Sequence, residues 1–186
     1  MLIKILQTLK HDLREWIECI VAGWPETFLG KKMRIYYWSK KFNLKTKPVV
    51  GRGSKLYGPT IVIGNNFTCG EDVEINATKS NGVFIGNNVL MASNTYLRAA
   101  NHHFESIDTP INQQGHYSAT IAHKDGNYSI VIEDDVWIGA NSILLSGTKV
   151  GTGSVVGAGS VISKEFPPYS IIAGNPAQII LDRTKI

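Results

Sequence analysis

In residues 132–162, IEDDVWIGANSILLSGTKVGTGSVVGAGSVI, an aliphatic side chain returns every sixth position: Ile132, Ile138, Leu144, Val150, Val156 and Ile162. Six matches neither the 3.6-residue period of a helix nor the two-residue period of a strand. Four residues after most of these anchors stands something small or β-branched, at Val136, Ser142, Thr148, Ser154 and Ser160, and glycine follows directly at Gly139, Gly151 and Gly157. One inward anchor per flat face, a small filler beside it and a bend before the next face describe a parallel β-helix solenoid. The same frame begins earlier, at Val50 and Leu56. It shifts by one residue to Ile63, Cys69 and Ile75, and shifts again to Ile85, Met91 and Leu97. Eighteen glycines in 186 residues suit such a tightly turned chain.

Two segments escape the six-residue count. Residues 2–21 space their apolar side chains as one helical stripe (Leu2, Ile5/Leu6, Leu9, Leu13, Trp16/Ile17, Ile20), ended by Gly23 and Pro25. A second helix is predicted over 26–42. Between positions 31 and 47 lie seven cations and no acid. A helical cap over the open end of the solenoid accounts for residues 1–47, since unpaired strand edges need cover. The basic and aromatic content adds a possible peripheral membrane contact, while nucleic acid is not expected. No uncharged run is long enough to span a bilayer, and Lys4, Gln7 and Lys10 interrupt any signal-peptide core. Two cysteines without metal or disulfide spacing fit a reducing, cytoplasmic compartment, with Cys69 as an inward filler.

The solenoid is predicted over 48–166, followed by a tail over 167–186 that opens on Pro167-Pro168 and folds back. Between Leu97 and Ile132 the rhythm stops, and an excursion at about 100–129 carries four of the five histidines, His102, His103, His116 and His123. Long departures from a rigid repeat are commonly functional. His102 follows directly on a regular coil, so its backbone is held while its ring is accessible, as a general base requires. Three imidazoles could instead hold zinc. Against that, adjacent His102 and His103 point opposite ways from an extended backbone, and His116 and His123 have no repeat frame to fix them. No metal is expected.

The stretches IGNNVLMASNTYLRAANHHF, VIEDDVWIGANSILLSGTKVGTGSVVGAGSVISKEFPP and AGNPAQII, in this order, resemble the hexapeptide-repeat acetyltransferases over roughly residues 50–180. The resemblance implies an all-β, left-handed parallel β-helix with an N-terminal helical cap, acetyl-CoA as cosubstrate, and a homotrimer with its sites between protomers. NHHF followed by DTPINQQG is most similar to O-acetyltransferases of bacterial surface polysaccharides related to the galactoside and maltose enzymes. By that likeness His102 is the catalytic base and Trp137 lies beside the cleft. Gly139, Ala140 and Ala158 line the pantetheine arm, with Gly139 or Ala140 offering an N–H to the oxyanion. Ser163, Lys164 and Arg183 meet the nucleotide end of CoA. Glu71, next to Gly70 where the family's sugar-positioning Asn is absent, joins Asn101 and His103 as candidate acceptor contacts. About a dozen residues between Gly115 and Asn127 exceed a minimal family loop. The alternatives are an antibiotic O-acetyltransferase, a γ-type carbonic anhydrase and a non-catalytic scaffold.

Overall fold

The computed structural model describes residues 2–186, with side chains at positions 8–9 and from 12 onward. Helix α1 (Leu2–Gly23) and helix α2 (Phe28–Lys41) precede three parallel sheets that form the sides of a triangular prism. Face one stacks Val49–Val50, Thr68–Cys69, Leu90–Met91, Trp137–Ile138, Val155–Val156 and Ser170–Gly174. Face two stacks Lys55–Tyr57, Glu74–Asn76, Tyr96–Arg98, Ile143–Leu145 and Val161–Ile162. Face three stacks Ile61–Ile63, Val83–Ile85, Ile130–Ile132, Thr148–Val150 and Glu165–Phe166. The pairings are parallel and in register, Ile85 beside Ile132 and Ile132 beside Val150. A parallel β-helix is therefore observed.

The anchors fill the interior. Leu56, Ile75, Ile85, Met91, Leu97, Ile138, Leu144 and Ile162 are all within 1% of complete burial. Each inaccessible aliphatic side chain contributes about 1.5–3 kcal/mol relative to exposure. Cys69 is inside as expected, and burial pushes its thiol up to about 11. The small fillers are hydrogen-bonded as well as packed: the hydroxyls of Ser54, Ser142 and Ser160 donate to the carbonyls of Gly70 (3.0 Å), Gly157 (3.1 Å) and Gly157 (2.6 Å). That satisfies corner groups which would otherwise be buried without a partner.

Corners recur by one device. The third residue after an anchor takes a left-handed backbone: Asn66, Asp72, Asn88, Asn94, Asp135 and Asn141 have φ of 55–59°, and Gly53, Gly147, Gly153 and Gly159 occupy the same place. Only Asn, Asp and Gly adopt that region readily. Polar ladders then run up the corner between faces three and one, where the Asn87 side chain accepts from Asn65 N–H (2.9 Å) and Asp134 accepts from Asn87 N–H (2.7 Å).

Helix α2 closes the first coil, as predicted, with Trp38 only 1% exposed. Arg34, one of the seven cations between positions 31 and 47, is not at the surface. It is buried, donates from Nε to Val50 O (3.0 Å) and from Nη1 to Trp24 O (2.5 Å), and pairs with Glu26. The tail folds back as Ala177–Asp182, antiparallel to Ser170–Gly174, and ends in a 3-10 turn at Arg183–Lys185. Among the described residues no helix is long and apolar enough to cross a membrane.

Candidate active site

The excursion leaves the prism at the corner between faces two and three and doubles back twice. Asn101–His102 pairs antiparallel with His116–Tyr117, placing His102 directly opposite His116. Side chains alternate across such a ribbon. His102 and His116 therefore share one side, with ring centroids 4.0 Å apart. On the other side His103 lies 5.0 Å from Tyr117, Asn101 Nδ2 reaches Tyr117 Oη at 3.4 Å, and His103 Nδ1 sits 3.1 Å from Glu105. Only one of the two adjacent histidines can face a given reactant. Asn101 and His103, expected with His102 beside the substrate, lie on the other side of the ribbon from His102.

His116 has no repeat frame, as expected, but the strand pairing with Asn101–His102 fixes its place. Lys79 Nζ is 3.5 Å from its Nδ1. A lysine can only donate, so this contact is a hydrogen bond in the tautomer that carries its proton on Nε2. Loss of solvation, then the charges of Lys79 and His102, hold His116 below the ordinary histidine value. His102 is exposed beside this ring.

His123 is fixed too. The second hairpin, Ile121–His123 with Gly126–Tyr128, lies on the outside of face three, where Phe84, Ile121 and Val131 are buried together against Tyr128. The His123 ring is 4.5 Å from Phe84, and its Nδ1 is 3.8 Å from Glu133. Nε2 is buried without a partner. The residues beyond a minimal family loop thus build a β-hairpin packed on the solenoid wall. Among the described residues no three His, Cys, Asp or Glu side chains are grouped to hold a metal ion.

The other candidates occupy different corners. Glu71, Gly139, Ala140 and Ala158 sit between faces one and two, whereas Ser163 and Lys164 sit between faces two and three. Lys164 Nζ donates to Gln178 (2.9 Å), and Glu71 lies 3.5 Å from Arg52. Arg183 reaches the corner between faces three and one, donating to Gly153 O (2.6 Å) and lying 3.3 Å from Asp135. With Trp137, half exposed between Leu90 and Val155, it lines a cavity of about 350 Å³ that none of residues 101–103 borders. The Gly139 N–H donates to Val156 O (2.8 Å) and so is committed to the coil ladder. Its Cα hydrogen also faces Ala158 so closely that a Cβ would lie 2.5 Å from Ala158 N. Ala140 N–H is the candidate oxyanion donor that remains.

Comparison with known proteins bears on this arrangement. The family description for bacterial transferase hexapeptide, six repeats, matches residues 129–164. The galactoside O-acetyltransferase of Escherichia coli (strain K12) is 33% identical over 127 residues, covering 67% of this chain and 55% of the relative. A solved maltose O-acetyltransferase from Clostridium difficile 630 superposes with a TM-score of 0.72 at 26% identity, covering 95% of this chain and 88% of that one. The chain belongs to the hexapeptide-repeat acetyltransferase family. A galactoside acetyltransferase solved in complex with coenzyme A also reaches a TM-score of 0.72, at 25% identity, covering 92% of this chain and 80% of that one. Hexapeptide-repeat membership explains why the matched family segment coincides with the most regular coils, Ile130 to Ile162. The chain spans about half the length of the curated relatives it matches.

Proposed function

We propose that this protein transfers the acetyl group of acetyl-CoA to a sugar hydroxyl, with His102 as general base, and that the acceptor belongs to a bacterial surface polysaccharide. The observation that carries this reading is the placement of His102. It is an exposed imidazole, on a ribbon anchored to a rigid coil, opposite a second imidazole. Relatives whose names specify galactoside and maltose O-acetyltransferases, and one solved with coenzyme A, support the choice of donor and acceptor class.

A sugar hydroxyl holds its proton at neutral pH and attacks a thioester slowly. In the proposed step His102 accepts that proton as the acceptor oxygen bonds to the acetyl carbonyl carbon. The developing oxyanion is stabilised by a backbone N–H, for which Ala140 is available. Collapse breaks the carbon–sulfur bond, and the imidazolium returns its proton to the departing thiolate. Neither cysteine is needed. Cys69 is buried with a raised pKa, and Cys19 lies on helix α1.

The corners of one prism cannot converge on a single reactant. Bringing His102 to Trp137, Ala140 and Ala158 calls for a second copy, whose coil wall would face this ribbon, as in a homotrimer with its sites between protomers. The test is direct. The purified protein should release free CoA from acetyl-CoA only when a sugar acceptor is supplied, and cells lacking the gene should lose acetyl groups from their surface glycan. CoA release that is indifferent to every sugar, with glycan acetylation intact, would overturn the reading.

A further inference from the structure

Helix α1 is mounted the opposite way round from an amphipathic helix that covers a core. Its charged side faces the body: Arg14, Glu15 and Glu18 line a cavity of about 1060 Å³ against Tyr37 and Tyr57, and Glu18 pairs with Lys41. Burial first, then the negative charges of Glu18 and Glu15, push the Tyr37 hydroxyl up to about 12. On the far side Leu9 (58% exposed), Leu13 (62%), Trp16 (70%), Ile17 (40%) and Ile20 (52%) form one continuous apolar stripe. At 100° per residue these five side chains fall within about 100° of arc, so they share one face. Phe28 and Leu29, also exposed, follow directly after the turn into α2.

Charge separates along the chain in the same place. Residues 1–47 hold ten Lys or Arg and four Asp or Glu, a net of +6, whereas residues 48–186 hold nine and eleven, a net of −2. Of the basic residues, Lys32, Lys45 and Lys47 are exposed, and Lys32 stands over the Phe28 ring at 4.3 Å. An outward stripe of Leu and Ile with a Trp, on a segment that also carries exposed lysines, fits the boundary of an anionic bilayer. Acyl chains accept the aliphatic side chains, indole prefers the headgroup level, and phosphates attract the cations. A second copy of the same segment is a poorer cover, because it would bring two segments of like charge together.

We infer that helix α1 and the adjoining lysines form a peripheral docking surface for an anionic lipid bilayer, with the helix lying in the interface and not crossing it. The stripe owes nothing to acetyl transfer, so this inference stands or falls apart from the function proposed above.

The test is co-sedimentation of the full chain with phosphatidylcholine vesicles, with and without about one-third phosphatidylglycerol. Binding to the anionic vesicles, weakened by salt, is expected. Leu13→Ser with Trp16→Ser should lower the partition coefficient by more than about tenfold, and Lys45→Ala with Lys47→Ala by about fivefold per lysine. Melting temperature and oligomeric size should stay as in the parent, because these side chains point away from the body. No binding to anionic vesicles, or binding that ignores the Leu13/Trp16 change, would overturn the inference. So would a drop in oligomeric size in the Leu13/Trp16 variant, since that result means another copy covers the stripe.

Discussion

His102 and His116 face each other across an antiparallel pair of strands with their rings 4.0 Å apart, and Lys79 holds the far nitrogen of His116 at 3.5 Å. Two touching imidazoles cannot both carry charge cheaply. Loss of solvation first, then the charges of Lys79 and His102, hold His116 below the ordinary histidine value. If His102 is the base proposed above, His116 is placed to act as a positioning residue that supports its ring.

His116→Ala should therefore lower kcat by about ten- to a hundredfold while leaving KM for acetyl-CoA unchanged, because misplacing a reacting group by about 1 Å costs on that order. His116→Asn, which keeps a planar polar group on the ribbon, should recover part of the loss. Steady-state kinetics of the two variants check this. Equal kcat in parent and His116→Ala would remove the supporting role.

The solenoid corners give a stability test. Asn141 has φ 57° at a position where no side-chain hydrogen bond is formed, and its N–H donates to Ser93 O. Asn141→Gly should change stability by less than about 0.5 kcal/mol, while Asn141→Val should cost about 1–2 kcal/mol through left-handed strain. Denaturant midpoints at constant slope are the measurement.

The hairpin on face three should make stability depend on pH in two windows. His123 is held below the ordinary 6.5, by burial first and then by Lys124 and Lys149, with Glu133 opposing. The unfolded chain thus binds more protons than the folded one just below that value. The stability contributed is complete above about pH 6.5 and is lost as pH falls through the lower folded value. For Glu133, burial works upward but is outweighed by the Thr152 donors and Lys149, and for Asp134 the Asn87 N–H leads. Both carboxyls are depressed, so their contribution is lost only further down, below 4.5 and 3.8. His123→Phe keeps a ring against Phe84 and removes the unpartnered Nε2. Melting temperatures should then depend less on pH between about 7 and 5.5, the remainder coming from the other depressed histidine, His116, while the acid window persists. An unchanged upper window would show that another group sets it.

The regular parts of this molecule were legible because one side chain in six must fill the prism, and that demand leaves a mark at Ile85, Ile138 or Leu144 whatever surrounds them. A second mark, the Asn, Asp or Gly three residues after each anchor, carries the left-handed corner and was overlooked in favour of the glycine directly after it. Arg34 could not be read as buried, because only the carbonyls of Trp24 and Val50, brought together in space, make that burial tolerable. Within the excursion, His102 was found from its place at the end of a coil. The pairing of His102 with His116 was not, since a cross-strand register between residues fourteen apart leaves no periodic trace. The same register puts Asn101 and His103, neighbours in sequence, on the opposite side of the ribbon from His102. Gly139 was assigned to the oxyanion from likeness alone, and its N–H is taken by Val156 O.

The central claim is that a single imidazole, at position 102, takes the acceptor's proton. The most direct measurement compares kcat of acetyl transfer to a sugar for His102→Ala and His103→Ala, with melting temperatures confirming that both fold. The account predicts that His102→Ala loses about 10²–10⁴-fold and His103→Ala stays within about threefold of the parent, since its ring lies on the opposite side of the ribbon. Near-normal turnover by His102→Ala, or a collapse confined to His103→Ala, would contradict it.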